Sequence, residues 1–214
     1  MTIKLHIIIK SSNKGRAILP IAEWLESVVR KDKRYQIKVV DITNFDLPNI
    51  APQEIDEDLL PMADHPGRLK WAHSVNDAEA FIFIVSGRNR SDLTAIEHAI
   101  HFLDKEWFYK PAAFVSYGGI TGGVQAALSL MPKLMELKMH PIPEIVSIPL
   151  VQQYVKDGHL KSLFFEAQET HEHTAKNILN ELHQWSGALK HIRLPSPSHR
   201  EISEQDYLPQ LIGE

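Results

Sequence analysis

The chain has 214 residues, of which 43% are hydrophobic and 23% charged, ordinary values for one folded domain with a sizeable core. It contains no cysteine, which excludes disulfides, thiolate catalysis and cysteine-ligated metal centres, so any redox chemistry requires a bound cofactor. The net charge of -4 lacks the basic excess of nucleic-acid-binding proteins, and no apolar run approaches the ~20 residues of a membrane span. We therefore expect a cytoplasmic protein that binds neither nucleic acid nor membrane.

The hydrophobic pattern alternates between strands and helices along the chain. Residues 3–9 form an almost unbroken apolar run, which is typical of a strand covered on both faces. Apolar residues at helical spacing follow, and the two patterns then repeat in turn. The predicted strands are 3–9, 35–42, 80–85, 111–117 and 141–149, and the predicted helices are 16–30, 68–78, 92–103, 124–137 and 171–189. Residues 44–62 are predicted to form a long loop, and the excursion at 151–165 has no assigned structure.

Strands that alternate with helices through short loops predict a parallel sheet with helices on both faces, because right-handed crossovers cover each face in turn. Five strands indicate an α/β flavodoxin-like three-layer sandwich with strand order 2-1-3-4-5. We expect residues 1–190 to form this domain. Residues 191–214 are polar and contain three prolines, and we expect a tail or an arm laid on a partner subunit.

In such sheets, ligands bind beyond the carboxyl ends of the strands, where the strand order reverses. Three loops lie there, at 10–16, 86–91 and 116–123. The first, KSSNKGR, offers hydroxyls and free N–H groups at the start of a helix, which suits a phosphate, and Arg16 adds a charge. The alternative is a polar turn in which a side chain at 11–13 only caps the helix.

The third loop reads SYGGITGG and has four glycines within six positions. Such a backbone can approach a planar ligand closely, and Tyr117 offers an aromatic face and a hydroxyl. The alternative is a tight turn whose glycines serve close helix–strand packing. The loop alone favours neither interpretation.

A resemblance to a known family adds to this prediction. Residues 106–139, EWFYKPAAFVSYGGITGGVQAALSLMPKLMELKM, resemble the segment around the fourth strand of NADPH-dependent FMN reductases. Gly15-Arg16, Ala22-Glu23-Trp24, and Asp41 with Leu47-Pro48 are similar to the same family, so the resemblance covers about 3–148. It implies an enzyme in which NADPH delivers hydride to bound FMN, and FMN then reduces a small-molecule electron acceptor such as a flavin or a quinone. It also implies a homodimer or homotetramer.

On the same resemblance, the FMN contacts fall on all three loops. The residues implied to face the phosphate are Ser11, Ser12, Asn13 and Arg16. Those at the edge of the isoalloxazine ring are Ser86, Gly87, Arg88 and Asn89, and those on its other flank are Ser116, Tyr117, Gly118 and Gly119. No catalytic side chain is required, because the flavin itself performs the chemistry.

Several loop positions differ from the family pattern. Lys10 replaces a usual glycine, Asn13 a usual arginine, Gly87-Arg88 a usual Glu-Tyr pair, and Glu97-His98 a usual Lys-Asn pair. These differences motivate an alternative, a flavodoxin-fold binding or regulatory module that has lost tight FMN binding. A third possibility is a pocket for another phosphorylated ligand, since a helix N-terminus favours any anion.

The histidines and tryptophans are the remaining candidates for a functional role. The pairs His98/His101 and His171/His173 provide two ligands each and no HExxH motif, whereas zinc sites need at least three protein ligands, so we predict no metal. The four tryptophans lie on separate predicted helices or their flanks, and we expect them to fill the core or a subunit contact.

Overall fold

The computed structural model describes residues 2–11, 17–47, 65–157 and 163–193. Five parallel strands form one sheet in the order β2-β1-β3-β4-β5, which confirms the predicted fold class. The strands are β1 (Ile3–Ile9), β2 (Tyr35–Asp41), β3 (Ala80–Ser86), β4 (Pro111–Tyr117) and β5 (His140–Ile148). Every residue of β3 and β4 is buried, which explains why these strands are continuous apolar runs in the sequence.

The helices divide between the two faces of the sheet. Residues of α1 (Ile18–Arg30) and α5 (Glu169–Arg193) form one hydrophobic cluster with one face. Residues of α2 (Pro66–Asp77), α3 (Arg90–His101) and α4 (Val124–Glu136) form a second cluster with the other. The sheet is therefore the middle layer of three, as predicted. None of the helices in the described part of the chain is long and apolar enough to cross a bilayer.

The unassigned excursion after β5 contains a small antiparallel hairpin. Its strands are β6 (Val155–Asp157) and β7 (Leu163–Phe165), and residues 158–162 between them lie outside the described residues. The ring of Phe165 packs against Trp24 of α1 in an edge-on contact, with 5.1 Å between the ring centroids. Three-residue strands are too short for an alternation pattern to identify, which is why the sequence analysis assigns no structure to this segment.

Other boundaries moved by a few residues at most. The closing helix α5 ends at Arg193, so residues 191–193 of the expected tail are helical, and 194–214 lie outside the described residues. The same holds for 48–64, which include most of the predicted long loop. Trp71 and Trp107 are fully buried core residues, and their indole N–H groups donate to the carbonyls of Ala99 and Ile100.

Candidate functional site

The carboxyl ends of β3 and β4 hold two of the three predicted loops against each other. The backbone N–H of Gly87 donates to the carbonyl oxygen of Tyr117, with 2.9 Å between N and O. The N–H of Gly118 donates in turn to Ile148 at the end of β5, at 3.2 Å. Neighbouring strand ends are thus joined by backbone bonds, and residues 86–89 and 116–119 form one continuous edge.

The glycines of this edge have two different roles. Gly123 has a φ of +75°, and a Cβ atom there would lie 2.5 Å from the Tyr117 oxygen and 2.9 Å from the Gly87 nitrogen. A Cβ on Gly87 would lie 2.6 Å from the Cα of Gly123. These glycines permit the close approach of the two loops. Gly119 differs, because a Cβ there would meet nothing nearer than the Nε of Arg88, at 3.8 Å. Close packing and ligand access therefore both apply, at different glycines.

The backbone of the glycine-rich loop leaves donors unpaired. The carbonyls of Gly118 and Gly119 accept hydrogen bonds from the N–H groups of Val151 and Leu150, at 3.2 and 2.8 Å. The N–H groups of Gly119 and Ile120 have no hydrogen-bond partner within the described residues. The side chain of Ile120 is 86% exposed. The loop thus offers the amide donors of Gly119 and Ile120 beside an exposed apolar side chain, which suits a flat ring that carries acceptor atoms.

Ser116 and Tyr117 have side chains in the protein interior. Ser116 is fully buried, and its hydroxyl has no partner in the described part of the chain. Tyr117 is 5% exposed, and burial raises the pKa of its phenol to about 12 against a smaller opposing effect of a hydrogen bond with Ser86. The aromatic face that we expected Tyr117 to offer a ligand is therefore enclosed by protein.

In the loop after β3, Asn89 is held by its own helix. Its side-chain amide donates to the carboxylate of Asp92, which is buried, and its Oδ1 accepts from the hydroxyl of Ser91 at 2.8 Å. Asn89 thus joins β3 to the first turn of α3. Both of its side-chain polar atoms have partners on that helix, so its side chain orients the loop.

Arg88 is the exposed cation of the same loop. Its backbone N–H donates to the Ser86 hydroxyl at 3.2 Å, which fixes the chain direction there. Its guanidinium lies beside Gly119, as the 3.8 Å spacing above shows. The edge therefore combines neutral amide donors with one positive charge.

The first loop begins at an anchored serine. The N–H and the hydroxyl of Ser11 both donate to the carboxylate of Asp41, the N–H at 3.2 Å. Asp41 also accepts from the N–H of Thr43 at 3.0 Å, so it ties the end of β1 to the 3₁₀ turn after β2. The hydroxyl proton of Ser11 is thereby committed to Asp41, which indicates that Ser11 positions the loop. Ser12, Asn13 and Arg16 lie outside the described residues.

A pocket of about 680 Å³ lies beside this edge, between the end of β1, the turn after β2 and the outer side of α3. It is lined by Lys10, Ile42, Thr43, Asp46, Leu47, Arg90, Ser91, Thr94, Ala95 and His98. Its volume suits an organic ligand of cofactor size. Sequence reasoning missed Arg90 and Thr94, although residues 90, 94 and 98 recur at the spacing of one helix face.

The candidate metal ligands do not converge. Among the described residues, no three His, Asp or Glu side chains are placed to hold a metal ion. The Nδ1 of His101 is hydrogen-bonded to the carbonyl oxygen of Glu97, with 2.7 Å between the two atoms. His171 is buried against the rings of Tyr154 and Phe165, with centroids 5.5 and 5.7 Å away. Burial lowers the pKa of His171, as expected for a histidine that packs in the core.

Comparison with known protein families shows which family the chain matches. The family described as NADPH-dependent FMN reductase matches residues 3–153 of the chain. The chain belongs to this family. The match spans all five strands and the three loops named above. The protein is therefore a flavin oxidoreductase of flavodoxin-like fold.

Individual relatives agree with the assignment to the FMN reductases. The NAD(P)H-dependent FMN reductase LOT6 of Saccharomyces cerevisiae is 32% identical over 161 residues, which are 69% of this chain and 82% of the relative. An NAD(P)H-dependent FMN reductase of Schizosaccharomyces pombe is 26% identical, over 74% of this chain and 78% of its own. The solved structure of FerB, a flavoenzyme NAD(P)H:(acceptor) oxidoreductase of Paracoccus denitrificans, shares the fold with a TM-score of 0.63 at 19% identity, over 87% of this chain and 98% of that one.

The donor set of this FMN reductase fits FMN. The isoalloxazine ring carries carbonyl oxygens and ring nitrogens along one edge. The N–H groups of Gly119 and Ile120, which no other described residue accepts from, are donors of the matching kind. The space at Gly119 that a Cβ would partly fill allows a ring to approach the backbone. The exposed side chain of Ile120 offers an apolar contact.

Proposed function

We propose that the enzyme takes hydride from NADPH onto FMN held at the edge formed by residues 86–89 and 116–119, and then reduces a small acceptor such as a flavin or a quinone. The observation that carries this proposal is that the backbone N–H groups of Gly119 and Ile120, beside Arg88, have no partner among the described residues. When bound, FMN supplies the redox chemistry, because its ring accepts a hydride and releases the electrons to a second substrate.

The residues of the edge bind and orient the flavin. The N–H groups of Gly119 and Ile120 would donate to acceptor atoms of the ring. Arg88 would place a positive charge nearby, which would stabilise negative charge on a reduced flavin. Ser86 and Asn89 keep this loop in place through the Arg88 N–H and the first turn of α3. The buried side chains of Ser116 and Tyr117 support the edge from within.

Residues 12–16 are proposed to hold the FMN phosphate. Ser12 and Asn13 would donate from hydroxyl and amide groups, and Arg16 would pair with the charge. The anchoring of Ser11 on Asp41 supports this role, because it fixes where the loop leaves β1. Binding of FMN then depends on a loop start that the end of β2 holds in place.

We also propose that the enzyme is a homodimer formed through α4. Two large apolar side chains on this helix are exposed, Leu128 by 44% and Met135 by 63%. They are seven residues apart, which places them on the same side two turns along the helix. A second copy of the chain would cover them. The tetramer and the cytoplasmic location stay predictions.

A titration of the purified protein with FMN tests the proposed function. We expect saturable quenching or enhancement of flavin fluorescence, followed by bleaching of the flavin absorbance when NADPH is added without oxygen. Gly119→Val should weaken FMN binding at least tenfold, because its side chain fills the open space at the edge. Gly118 is the poorer position, because a Cβ there would lie 3.2 Å from the nitrogen of Gly123 and disturb the loop itself.

The control for this test is Gly187→Val in α5, where a Cβ meets nothing within 4 Å. It should leave FMN binding unchanged. The proposal fails if the protein binds no FMN at about 100 μM, a weak affinity for a cofactor. It also fails if Gly119→Val binds FMN as tightly as the parent. Binding without NADPH-dependent bleaching would leave a flavin-binding protein that is not a reductase for this donor.

A further inference from the structure

The pocket between Lys10, the turn after β2 and α3 contains none of the residues that we assign to the flavin. None of its ten lining residues belongs to 86–89 or 116–119. The pocket is nevertheless adjacent to the flavin edge, because its lining residues Arg90 and Ser91 follow Asn89 directly in the chain. A ligand that reaches from the flavin edge along α3 enters this pocket. The pocket is therefore placed to hold the distal part of a substrate whose other end meets the flavin.

Two cations in the pocket have no acidic partner among the described residues. Arg90 is exposed, and its guanidinium forms no ion pair or hydrogen bond within the described part of the chain. The Nζ of Lys10 has one bond, to the carbonyl oxygen of Ser11 at 3.3 Å, and no ion pair among the described residues. Asp46 is the one carboxylate among the lining residues. Two positive charges against one negative leave the pocket positive in a chain whose net charge is -4.

The remaining lining residues are apolar or carry hydroxyls. Ile42 is buried, and Leu47 and Ala95 are half-buried, which gives an apolar wall. Thr43, Ser91 and Thr94 provide hydroxyl groups. An apolar wall for a base, hydroxyls and a carboxylate for a ribose, and free cations for a phosphate are together the chemistry of a phosphorylated nucleoside.

We propose that this pocket binds the adenosine half of the nicotinamide dinucleotide, and that Arg90 and Lys10 select NADPH over NADH by pairing with the 2′-phosphate. The inference rests on the proposed function, since it assumes that the nicotinamide meets FMN at the neighbouring edge. Arginine is the side chain best suited to the 2′-phosphate that distinguishes the two dinucleotides. Asp46 accepts a hydrogen bond from the 3′-hydroxyl of the adenosine ribose, which both dinucleotides share.

The first test measures binding of dinucleotide fragments without any reaction. Calorimetry of the protein, with and without FMN, compares 2′,5′-ADP with 5′-AMP. We expect 2′,5′-ADP to bind at least about tenfold more tightly, the effect of one or two charge-assisted contacts. Arg90→Ala should reduce this ratio to near one, and Arg90→Lys should retain part of it. Arg30→Ala is the matched control, because Arg30 lies on α1 and pairs with Glu26.

The second test measures steady-state kinetics of the FMN-loaded enzyme. Arg90→Ala should raise the KM for NADPH about tenfold and change the KM for NADH less than about twofold. Asp46→Asn should raise both KM values alike. Asparagine suits this position because residue 46 has a φ of 47°.

Three outcomes would overturn the inference. Equal affinity for the two fragments would show that no phosphate is recognised, and tighter binding of 5′-AMP would mean that Asp46 repels the 2′-phosphate. An Arg90→Ala variant that loses FMN affinity instead would show that the pocket holds the phosphate of FMN. Failure of the proposed function is distinguishable, because 2′,5′-ADP would then still bind to a protein that does not bind FMN.

Discussion

Individual polar side chains at the candidate site have hydrogen-bond partners within the protein, some near and some far in the sequence. Ser11 donates to Asp41, thirty positions along, and Asn89 donates to Asp92. Both were predicted as direct FMN contacts from the family resemblance, and that role stays a prediction. What the structure adds is that their side chains hold loops in place, while backbone donors at Gly119 and Ile120 have no partner among the described residues.

The two roles of glycine lead to a first prediction. Gly123→Ala should lower the free energy of unfolding by about 2 kcal/mol or more, because alanine is strained at a φ of +75° and its Cβ would lie 2.5 Å from the Tyr117 oxygen. Gly119→Ala should change it by less than about 0.5 kcal/mol, since the space there is open. Urea denaturation of both variants measures the difference. Equal destabilisation by the two changes would contradict the assignment of these glycines.

A second prediction concerns His6 in the middle of β1. The ring is 2% exposed, its Nδ1 has no partner in the described part of the chain, and its Nε2 lies 3.8 Å from Asp77. Burial, reinforced by the charge of Lys38 and less by those of Lys110 and Lys4, lowers the pKa of His6 to about 4, although Asp77 acts in the opposite direction. The folded protein therefore holds this imidazole neutral at pH values where the unfolded chain protonates it.

The pKa of His6 is 6.5 in the unfolded chain and about 4 in the folded protein, and this difference sets the direction of the pH effect. Between the unfolded pKa of 6.5 and the folded pKa of about 4, the unfolded chain binds the extra proton, so stability falls as the pH drops through this window. Above it, the contribution of His6 is complete. We expect the parent protein to lose about 2 kcal/mol more than His6→Leu between pH 7 and pH 4.5, measured by urea denaturation. Carboxylates far from His6 titrate alike in both proteins, so their contribution cancels in this comparison, and Asp77→Asn in both backgrounds removes the carboxylate that is coupled to His6.

At the scale of elements, the hairpin of β6 and β7 completes the layer that contains α1 and α5. Phe165 is 7% exposed and contacts the rings of Trp24, Tyr154 and His171. Its neighbour Phe164 points the other way and is 48% exposed. This alternation is the period of two that a strand imposes, shown by a strand of only three residues.

The two phenylalanines provide a matched pair for a third prediction. Phe165→Ala should lower the free energy of unfolding by about 3 kcal/mol, the usual cost of removing a buried ring. Phe164→Ala should change it by less than about 0.5 kcal/mol. Guanidinium denaturation of both variants, followed by tryptophan fluorescence and by circular dichroism, measures the costs. If Phe165→Ala were neutral, the hairpin would add little to the core of this layer.

At the scale of the whole molecule, the sheet buries both faces, while α4 keeps apolar side chains on its outer surface. Leu128 and Met135 are the two large ones, and Met131 between them is half-buried. Exposed apolar groups on one side of a helix favour association when a second copy can cover them. This feature supports the proposed homodimer.

A fourth prediction tests that dimer. The double variant Leu128→Lys/Met135→Lys should elute as a single chain in size exclusion with light scattering, whereas the parent should have the mass of two chains. The two chains would bring four lysines into the interface, and their desolvation would cost several kcal/mol, enough to dissociate a standard homodimer. Leu69→Lys on α2 is the control, because Leu69 is 43% exposed and lies outside α4. A parent protein that is already monomeric would contradict the proposed homodimer.

The sequence by itself determined the layers and the order of the strands. Continuous apolar runs at β3 and β4 and helical spacing between them depend only on neighbouring residues, and the alternation then leaves few topologies. It also located the loops, because glycines and polar residues follow strand ends. Only the tertiary structure decided which atoms in those loops are left unpaired, and it formed the pocket from Lys10, residues 42–47 and α3, which are up to 88 positions apart. The physical reason is that hydrogen-bond partners and pocket walls are chosen by contacts across the sheet, which no local pattern records.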